Sequence, residues 1–297
     1  MALAAGANAT TAEMVQSTSF ELMQDIVEHT FPVEFIIAGE LAQFETFAIP
    51  SISKLLHRTR QYEDHGLKRL DDTKANLYGI FLNPEGSIER QKMIDHLNWV
   101  HSHYTISNED NIYTLLRLYF FPIEWIEKHG RRSLTPNEKS ALVAELLKIG
   151  EAMNISDLPS TYDAMKNWQH SYRQQYQGYH ADNAAVAQGM MEGLQAHFPQ
   201  WSRGMVRSGI IALLGDNELL NSLGFKPANW LTRTCAHLGI SLWKNYSRIH
   251  NPWRTKKFSD GWFVNYYPSY QGAFSYCKMG PDKLLSARKK QGGCPFH

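Results

Sequence analysis

The stretch from Lys68 to Tyr104 constrains the fold more than any other part of the chain, because it carries two helical patterns separated by a break at residues 83–86. In the second pattern, Ser87 is suited to cap the helix, and one helix face follows at the spacing i, i+3, i+4, i+7, i+8 and i+11. The residues on that face are Met93, His96, Leu97, Val100, His101 and Tyr104. The first helix has a stripe, polar toward its N-terminal end, of Arg69, Asp72, Thr73, Asn76, Leu77 and Ile80. The two stripes predict a packed helix pair that turns polar side chains toward the interior.

These inward-turned polar residues need an explanation, because a buried polar group without a hydrogen bond costs roughly 1–3 kcal/mol and a buried charge costs more. In one interpretation they are satisfied within the core, with Arg69 paired to Asp72 or another carboxylate and His101 bonded to a backbone carbonyl. In the other they line a cofactor cavity. A lone histidine on a buried apolar face is typical of an axial haem ligand. His103 is turned about 200° away from His101 on a helix, so only one of the two is expected to face inward.

Helix start and stop signals recur along the rest of the chain. The clearest is Thr135–Glu138, which has a capping residue, a proline at the first helical position and a glutamate at the third. Pro32 and Pro50 predict helix boundaries, and Pro122 is expected to kink or end its helix. No strand alternation, hairpin turn or fixed repeat is evident. The sequence therefore predicts an all-α fold.

The chain is predicted to divide into three parts. Residues 1–15 are rich in Ala, Thr and Asn and indicate a flexible lead-in. Residues 16–249 form the helical domain, and residues 250–297, with four prolines among scattered aromatic residues, are expected to form an extended arm packed on that domain.

Composition and the absence of targeting signals restrict the partners and the location that we expect. With 30 basic and 29 acidic residues and a net charge of +1, nucleic acid is not expected as a partner. No secretory signal pattern or run of about 20 apolar residues is evident. We therefore expect an intracellular protein that is cytoplasmic or endomembrane-associated; peripheral membrane contact and the oligomeric state stay open. Aromatic residues make up 12% of the chain, which suits a pocket for a bulky apolar ligand.

The three cysteines, Cys235, Cys277 and Cys294, have no spacing that indicates a disulfide framework or a structural zinc site, so a reducing compartment is expected. Cys294, followed by proline, is a weak alternative as a thiolate ligand to haem. The motifs Glu-x-x-His, HExxH, GxSxG, GxGxxG and the P-loop are absent. Di-iron, zinc protease, common hydrolase, kinase and dehydrogenase chemistry therefore have no support in the sequence.

Over roughly residues 31–168, the chain resembles the family of rubber oxygenases (latex clearing proteins) and their fungal relative in mycophenolic acid biosynthesis. The likeness rests on Arg69-x-x-x-Thr73, on the V-H-x-x-Y setting of His101 and Tyr104, and on the segments NEDNIYTLL, LTPNEKSAL and DLPSTYDAM. The resemblance implies an all-α, globin-like oxygenase that binds haem b. It also implies use of O2 to modify or cleave C=C bonds of a small apolar, isoprenoid-type compound in secondary metabolism.

Carried over by position, the resemblance implies that His101 ligates the haem iron. Arg69 and Thr73 would act in catalysis on the distal side or in its polar network, and Arg69 and Tyr104 would contact the cofactor. A haem or lipid carrier without catalysis and a peroxide-driven haem enzyme are the alternatives.

One position departs from the rubber oxygenase pattern. Asp72, also a predicted catalytic residue, stands where those enzymes have a lysine, so the iron is not expected to be closed in the same way. Glu63 and Glu40 are the two candidates for the catalytic glutamate of the family, and their spacing does not decide between them.

Overall fold

The structure is a computed structural model that describes residues 19–270 and 274–290, with the backbone alone for residues 262 and 263. No strand occurs in these ranges, so the all-α prediction is confirmed. The first helix, α1, covers residues 19–25 and continues as a π-helical turn over Ile26–Thr30. The others are α2 (Pro32–Phe47), α3 (Pro50–Thr59), α4 (Gln61–Phe81), α5 (Ile88–His101), α6 (Asn108–His129), α7 (Pro136–Ala152), α8 (Tyr162–Tyr176), α9 (Ala181–Ala196), α10 (Arg203–Leu214), α11 (Asn217–Ser222), α12 (Trp230–Ile249), α13 (Trp262–Asn265) and α14 (Asp282–Lys290).

The predicted helix boundaries follow from local capping. The Ser87 hydroxyl accepts from the amide of the third residue of α5, as expected for an N-cap. Thr135 and Glu138 form the complete capping box at the start of α7. Pro122 does not end its helix, because α6 continues seven residues beyond it to His129. That proline has no amide hydrogen to donate, so α6 lacks one backbone hydrogen bond there. Buried residues on both sides of Pro122 hold the helix in place despite this loss.

The position of α4 is set by its crossing with α9. At this crossing Gly66 on α4 faces Gly189 and Gly193 on α9, and a Cβ built at Gly189 would lie 2.5 Å from the carbonyl oxygen of Tyr62. A Cβ at Gly193 would lie 2.8 Å from the carbonyl carbon of Gly66. The two backbones therefore touch, and any larger residue would push α4 away. The buried apolar residues at this crossing, among them Tyr62, Leu70 and Met190, belong to one of two large clusters, and the other contains Ala75 and Ile80 from the C-terminal half of α4.

The described part of residues 250–290 lies against the helical body. Glu28 accepts from the amide and hydroxyl of Ser259, and Asp71 accepts from the amide and hydroxyl of Ser269. The ring of His96 is bonded to the carbonyl of Met279 at 2.9 Å. These contacts bring the C-terminal segment over α4 and α5. The lead-in at residues 1–15 and Cys294 lie outside the described residues, and the domain boundaries stay predictions.

Two further expectations concern cysteines and membranes. Cys277 is disulfide-bonded, contrary to the expectation of unpaired thiols, whereas Cys235 is free and exposed. Within residues 19–270 and 274–290, no single helix is long and apolar enough to cross a membrane. The pair α2 and α3 meets that test only together and with a bend of 100° between them. Most of α2 is buried in the core, which accounts for its apolar composition.

Candidate functional site

Three cavities of about 140, 130 and 160 Å³ meet around α4, the C-terminal end of α5 and the N-terminal half of α6. Arg69 and His101 line all three cavities, while Thr73 and Asn76 each line two. The remaining walls are mainly apolar, and those of the first cavity include Leu77, Ile80, Phe81, Leu97, Leu115, Leu118 and Tyr119. The polar stripe predicted on α4 and the histidine predicted on α5 are therefore brought together at one site.

Arg69 presents a positive charge to this site. Its guanidinium donates a hydrogen bond to the Thr73 hydroxyl and lies over the Tyr62 ring, 5.2 Å from the ring centroid. The Thr73 hydroxyl donates in turn to the carbonyl of Arg69 at 2.8 Å. The predicted pairing of Arg69 with Asp72 is absent, and Arg69 forms no ion pair with any carboxylate in the described ranges. The guanidinium is therefore held in place by neutral groups and is available to an anionic ligand.

His101 presents a neutral imidazole to the same cavities. Burial, together with the positive charge of Arg69, lowers the pKa of His101 to about 4. Across the part of the chain that the structure describes, its ring makes no hydrogen bond, so the carbonyl partner considered in the sequence interpretation is absent. A neutral imidazole with an available lone pair is the form that ligates a metal ion. No described residue forms a hydrogen bond that would fix the orientation of the His101 ring.

The two other residues of the V-H-x-x-Y region behave differently. His103 is exposed, and its Nδ1 lies 2.7 Å from the carbonyl oxygen of Trp99, in agreement with the expectation that only one of the two histidines faces inward. Tyr104 is half-buried and lines the cavity of about 130 Å³. Burial raises the pKa of its hydroxyl, so it stays protonated at neutral pH.

Asp72 is buried and directs its carboxylate to the C-terminal segment. It accepts a hydrogen bond from the Tyr270 hydroxyl and others, each at 2.9 Å, from Lys68 and the amide of Gly280. Lys68 donates a further bond to the carbonyl of Gly280 at 2.8 Å. This cluster closes one side of the cavity of about 130 Å³, which Gly280 also lines. The carboxylate at this position therefore holds the segment in place.

Neither candidate for the catalytic glutamate lines these three cavities. Glu63 lies 2.6 Å from Nδ1 of His57. Glu40 faces Lys74 in a separate cavity of about 30 Å³, which shares Leu77 with the first cavity. Burial raises the pKa of Glu40 to about 7, and the positive charge of Lys74 opposes the increase. A carboxyl group with a pKa near 7 has the protonation behaviour of a general base, but Glu40 does not line the three cavities of the site.

The structure adds functional candidates that sequence reasoning did not single out. The side-chain oxygen of Asn76 is buried without a hydrogen bond among the described residues, and it belongs to the stripe already identified on α4. Asn111 and Thr114 enter the site from α6, inside the NEDNIYTLL segment. Met279 and Gly280 come from the C-terminal segment, about 180 positions beyond His101 along the chain, and no local sequence pattern marks them.

A metal ion at this site would need a cofactor that supplies most of its ligands. Within the described ranges, no group of three or more His, Cys, Asp or Glu side chains is arranged to hold a metal ion. A haem iron takes four ligands from the porphyrin and needs only one from the protein, which is the number that His101 offers.

The sequence is similar to one protein family and to several curated proteins. A family profile described as "ER-bound oxygenase mpaB/B'/Rubber oxygenase, catalytic domain" matches residues 35–250. The chain is 28% identical over 225 residues to a protein named ER-bound oxygenase mpaB from Penicillium brevicompactum, covering 68% of this chain and 57% of that relative. It is 30% identical over 164 residues to ER-bound oxygenase mpaB' from the same organism, covering 52% of this chain and 39% of the relative. The chain thus spans little more than half the length of the first relative.

Proposed function

Since the chain belongs to the family of the ER-bound oxygenases mpaB/B' and rubber oxygenases, we propose that it is a haem b-dependent oxygenase. We further propose that it uses O2 to modify or cleave a C=C bond in a small apolar compound of isoprenoid type. The observation that carries this proposal is the neutral imidazole of His101 beside the unpaired guanidinium of Arg69, on cavities with apolar walls.

The residues at the site fit a haem. A b-type haem needs one protein ligand with a free lone pair, apolar contacts for the porphyrin and positive charge for its propionates. His101 would hold the iron, Arg69 would pair with a propionate or another anionic group, and Tyr104 would contact the cofactor edge. When bound, the haem would supply the iron at which dioxygen is activated.

The other residues of the site would position groups and exclude water. Thr73 both accepts from the guanidinium of Arg69 and donates to its carbonyl, so it fixes the direction in which that charge points. Aliphatic walls such as Leu77 and Leu118 would orient an apolar substrate and keep bulk water out. Because Asp72 already accepts three hydrogen bonds, we propose that it acts in catalysis only by holding the C-terminal segment against the site.

Oxygen uptake by the haem-loaded protein tests this proposal. With farnesol, a small isoprenoid alcohol, as the probe, we expect substrate-dependent O2 consumption and an oxidised or cleaved product in the mass spectrum. Thr73→Val should keep the haem content and lower turnover, whereas His103→Ala, on the exposed side of the same helix end, should change neither. Farnesol that binds and is recovered unchanged would favour a carrier. Turnover without O2 that requires added peroxide would favour a peroxide-driven enzyme.

For its location, we propose association with an endomembrane. Support comes from the relatives, which are named ER-bound, and the sequence left this alternative open beside a cytoplasmic one. Co-fractionation of the tagged protein with an ER marker would support this location, and its recovery in the cytosolic fraction would contradict it.

A further inference from the structure

Helix α12 is unusual because a long helix with many apolar residues is left almost uncovered. Of its 20 residues, Ser247 alone is buried. Leu231, Leu238, Leu242 and Ile249 are all exposed, Leu242 to 61% and Ile249 to 78%. At about 100° per residue, these four side chains fall within roughly 40° of one another around the helix axis. They form one apolar stripe along the length of α12.

This stripe points away from the protein body. The opposite side of α12 carries Trp243, whose ring donates to Glu34, and the buried Ser247. Helix α10 packs beside α12. Two more exposed apolar side chains lie at the N-terminal end of α10, Trp201, exposed to 79%, and Met205. Trp230, at the start of α12, is also exposed. Tryptophan is favoured where one side of a ring meets an apolar phase and the other meets water.

The charge of this region has one sign. Between Glu218 and Asp260 the sequence contains no acidic residue and seven basic residues, although the whole chain is nearly neutral. The basic residues are Lys226, Arg233, Lys244, Arg248, Arg254, Lys256 and Lys257. Lys256 and Lys257 are exposed shortly beyond the C-terminal end of α12. An exposed apolar stripe in a segment that carries basic and no acidic residues is the pattern of a helix that lies in the surface of an anionic membrane.

We propose that α12, with the N-terminal end of α10, is a membrane-docking surface for an anionic lipid bilayer. The apolar stripe inserts among the acyl chains, and the exposed side chains of Lys256 and Lys257, beyond the C-terminal end of α12, contact lipid phosphates. A second copy of this chain fits less well, because a two-fold interface would bring the same basic surface against itself. The proposal names the surface behind the proposed endomembrane location and does not depend on haem or on oxygenase activity.

Vesicle sedimentation of the full chain tests this surface. We expect the protein to sediment with phosphatidylcholine vesicles that contain phosphatidylserine, and much less with phosphatidylcholine alone or at raised salt. The double variant Leu238→Glu/Leu242→Glu should lower binding about tenfold or more, because two apolar side chains no longer enter the bilayer. Each of Lys256→Gln and Lys257→Gln should lower it about fivefold. Ile88→Glu, exposed to 66% at the start of α5, is the matched control and should bind like the wild type.

Several results would overturn the proposal. One is the absence of sedimentation with anionic vesicles, and another is equal binding to neutral ones. A third is a loss of binding in Ile88→Glu as large as in the α12 variant. A wild-type dimer that Leu238→Glu/Leu242→Glu converts to a monomer would assign the surface to a second copy instead. Circular dichroism and O2 uptake should be unchanged in the α12 variants, so a failure here leaves the oxygenase proposal standing.

Discussion

The contact between Asp72 and the C-terminal segment supports a graded mutational test. The carboxylate accepts from Tyr270, Lys68 and the amide of Gly280, and both Asp72 and Tyr270 are buried. Burial and the adjoining carboxylate raise the pKa of Tyr270, so its hydroxyl remains a donor at all physiological pH values. In Asp72→Asn the negative charge is lost. The side-chain NH2 group of the asparagine, itself a donor, would also face the donors of Tyr270, Lys68 and Gly280.

The expected magnitudes follow from these partners. Tyr270→Phe removes one hydrogen bond to a charged group, which is worth about 1.5–3 kcal/mol. Breaking a fully buried ion pair costs about 3–5 kcal/mol, and since Lys68 is partly exposed we expect about 3 kcal/mol for Asp72→Asn. Tyr267→Phe is the matched control. The Tyr267 hydroxyl makes no hydrogen bond within the described chain, and a phenyl ring keeps the contact with Lys74, which lies 4.3 Å from the ring centroid.

Urea unfolding and amide hydrogen exchange measure this series. Unfolding free energies should fall in the order Tyr267→Phe, Tyr270→Phe, Asp72→Asn, with the control close to the wild type. Faster exchange should be concentrated in residues 274–290, because these lose their attachment to α4. If Asp72→Asn and Tyr270→Phe both stayed within about 0.5 kcal/mol of the control, or if exchange rose evenly over the molecule, the assigned role of this contact would be wrong.

Three further predictions concern the site and the fold. The His101 pKa of about 4 lies below its unfolded value near 6.5, so the unfolded chain gains the proton first as pH falls, and stability is lost between pH 6.5 and 4. In the cofactor-free protein, lowering the pH from 7 to about 4.5 should therefore cost the wild type about 2–3 kcal/mol more than His101→Gln in urea titrations; equal losses would contradict this. Arg69→Gln should change the unfolding free energy by less than about 1 kcal/mol and weaken haem binding about tenfold in spectroscopic titrations; the reverse pattern would indicate a structural role. Thr135→Ala should cost about 1 kcal/mol in thermal unfolding through the lost cap of α7, and Thr135→Ser should restore most of it.

Much of the fold was predictable because helix ends are encoded locally. The capping box at Thr135 and the cap at Ser87 depend on residues three positions apart. The stripe holding Arg69 and Thr73 follows from the helical repeat alone, and the family resemblance inferred from these motifs is confirmed by the match over residues 35–250. Of the two outcomes predicted for Pro122, a kink or an end of the helix, the end is wrong, because tertiary packing supports α6 beyond the proline.

What could not be predicted depends on contacts between distant parts of the chain. The attachment of Asp72 to Tyr270 and Gly280 joins residues about 200 positions apart. The backbone contact between Gly66 and Gly189 likewise has no local signature. The sequence placed Asp72 on the same stripe as Arg69 and so suggested that they pair, whereas Lys68, one turn earlier, takes that role. Helical periodicity fixes a face, and only the tertiary structure decides which neighbour that face meets.

The central claim is that His101 holds a haem at the cavities shared with Arg69, and the absorption spectrum of the purified protein tests it most directly. Wild type and His103→Ala, reconstituted with haem, should show the same strong Soret band, because the His103 ring faces solvent. His101→Ala should remain folded by circular dichroism and lose the band. A full Soret band in folded His101→Ala would contradict the account.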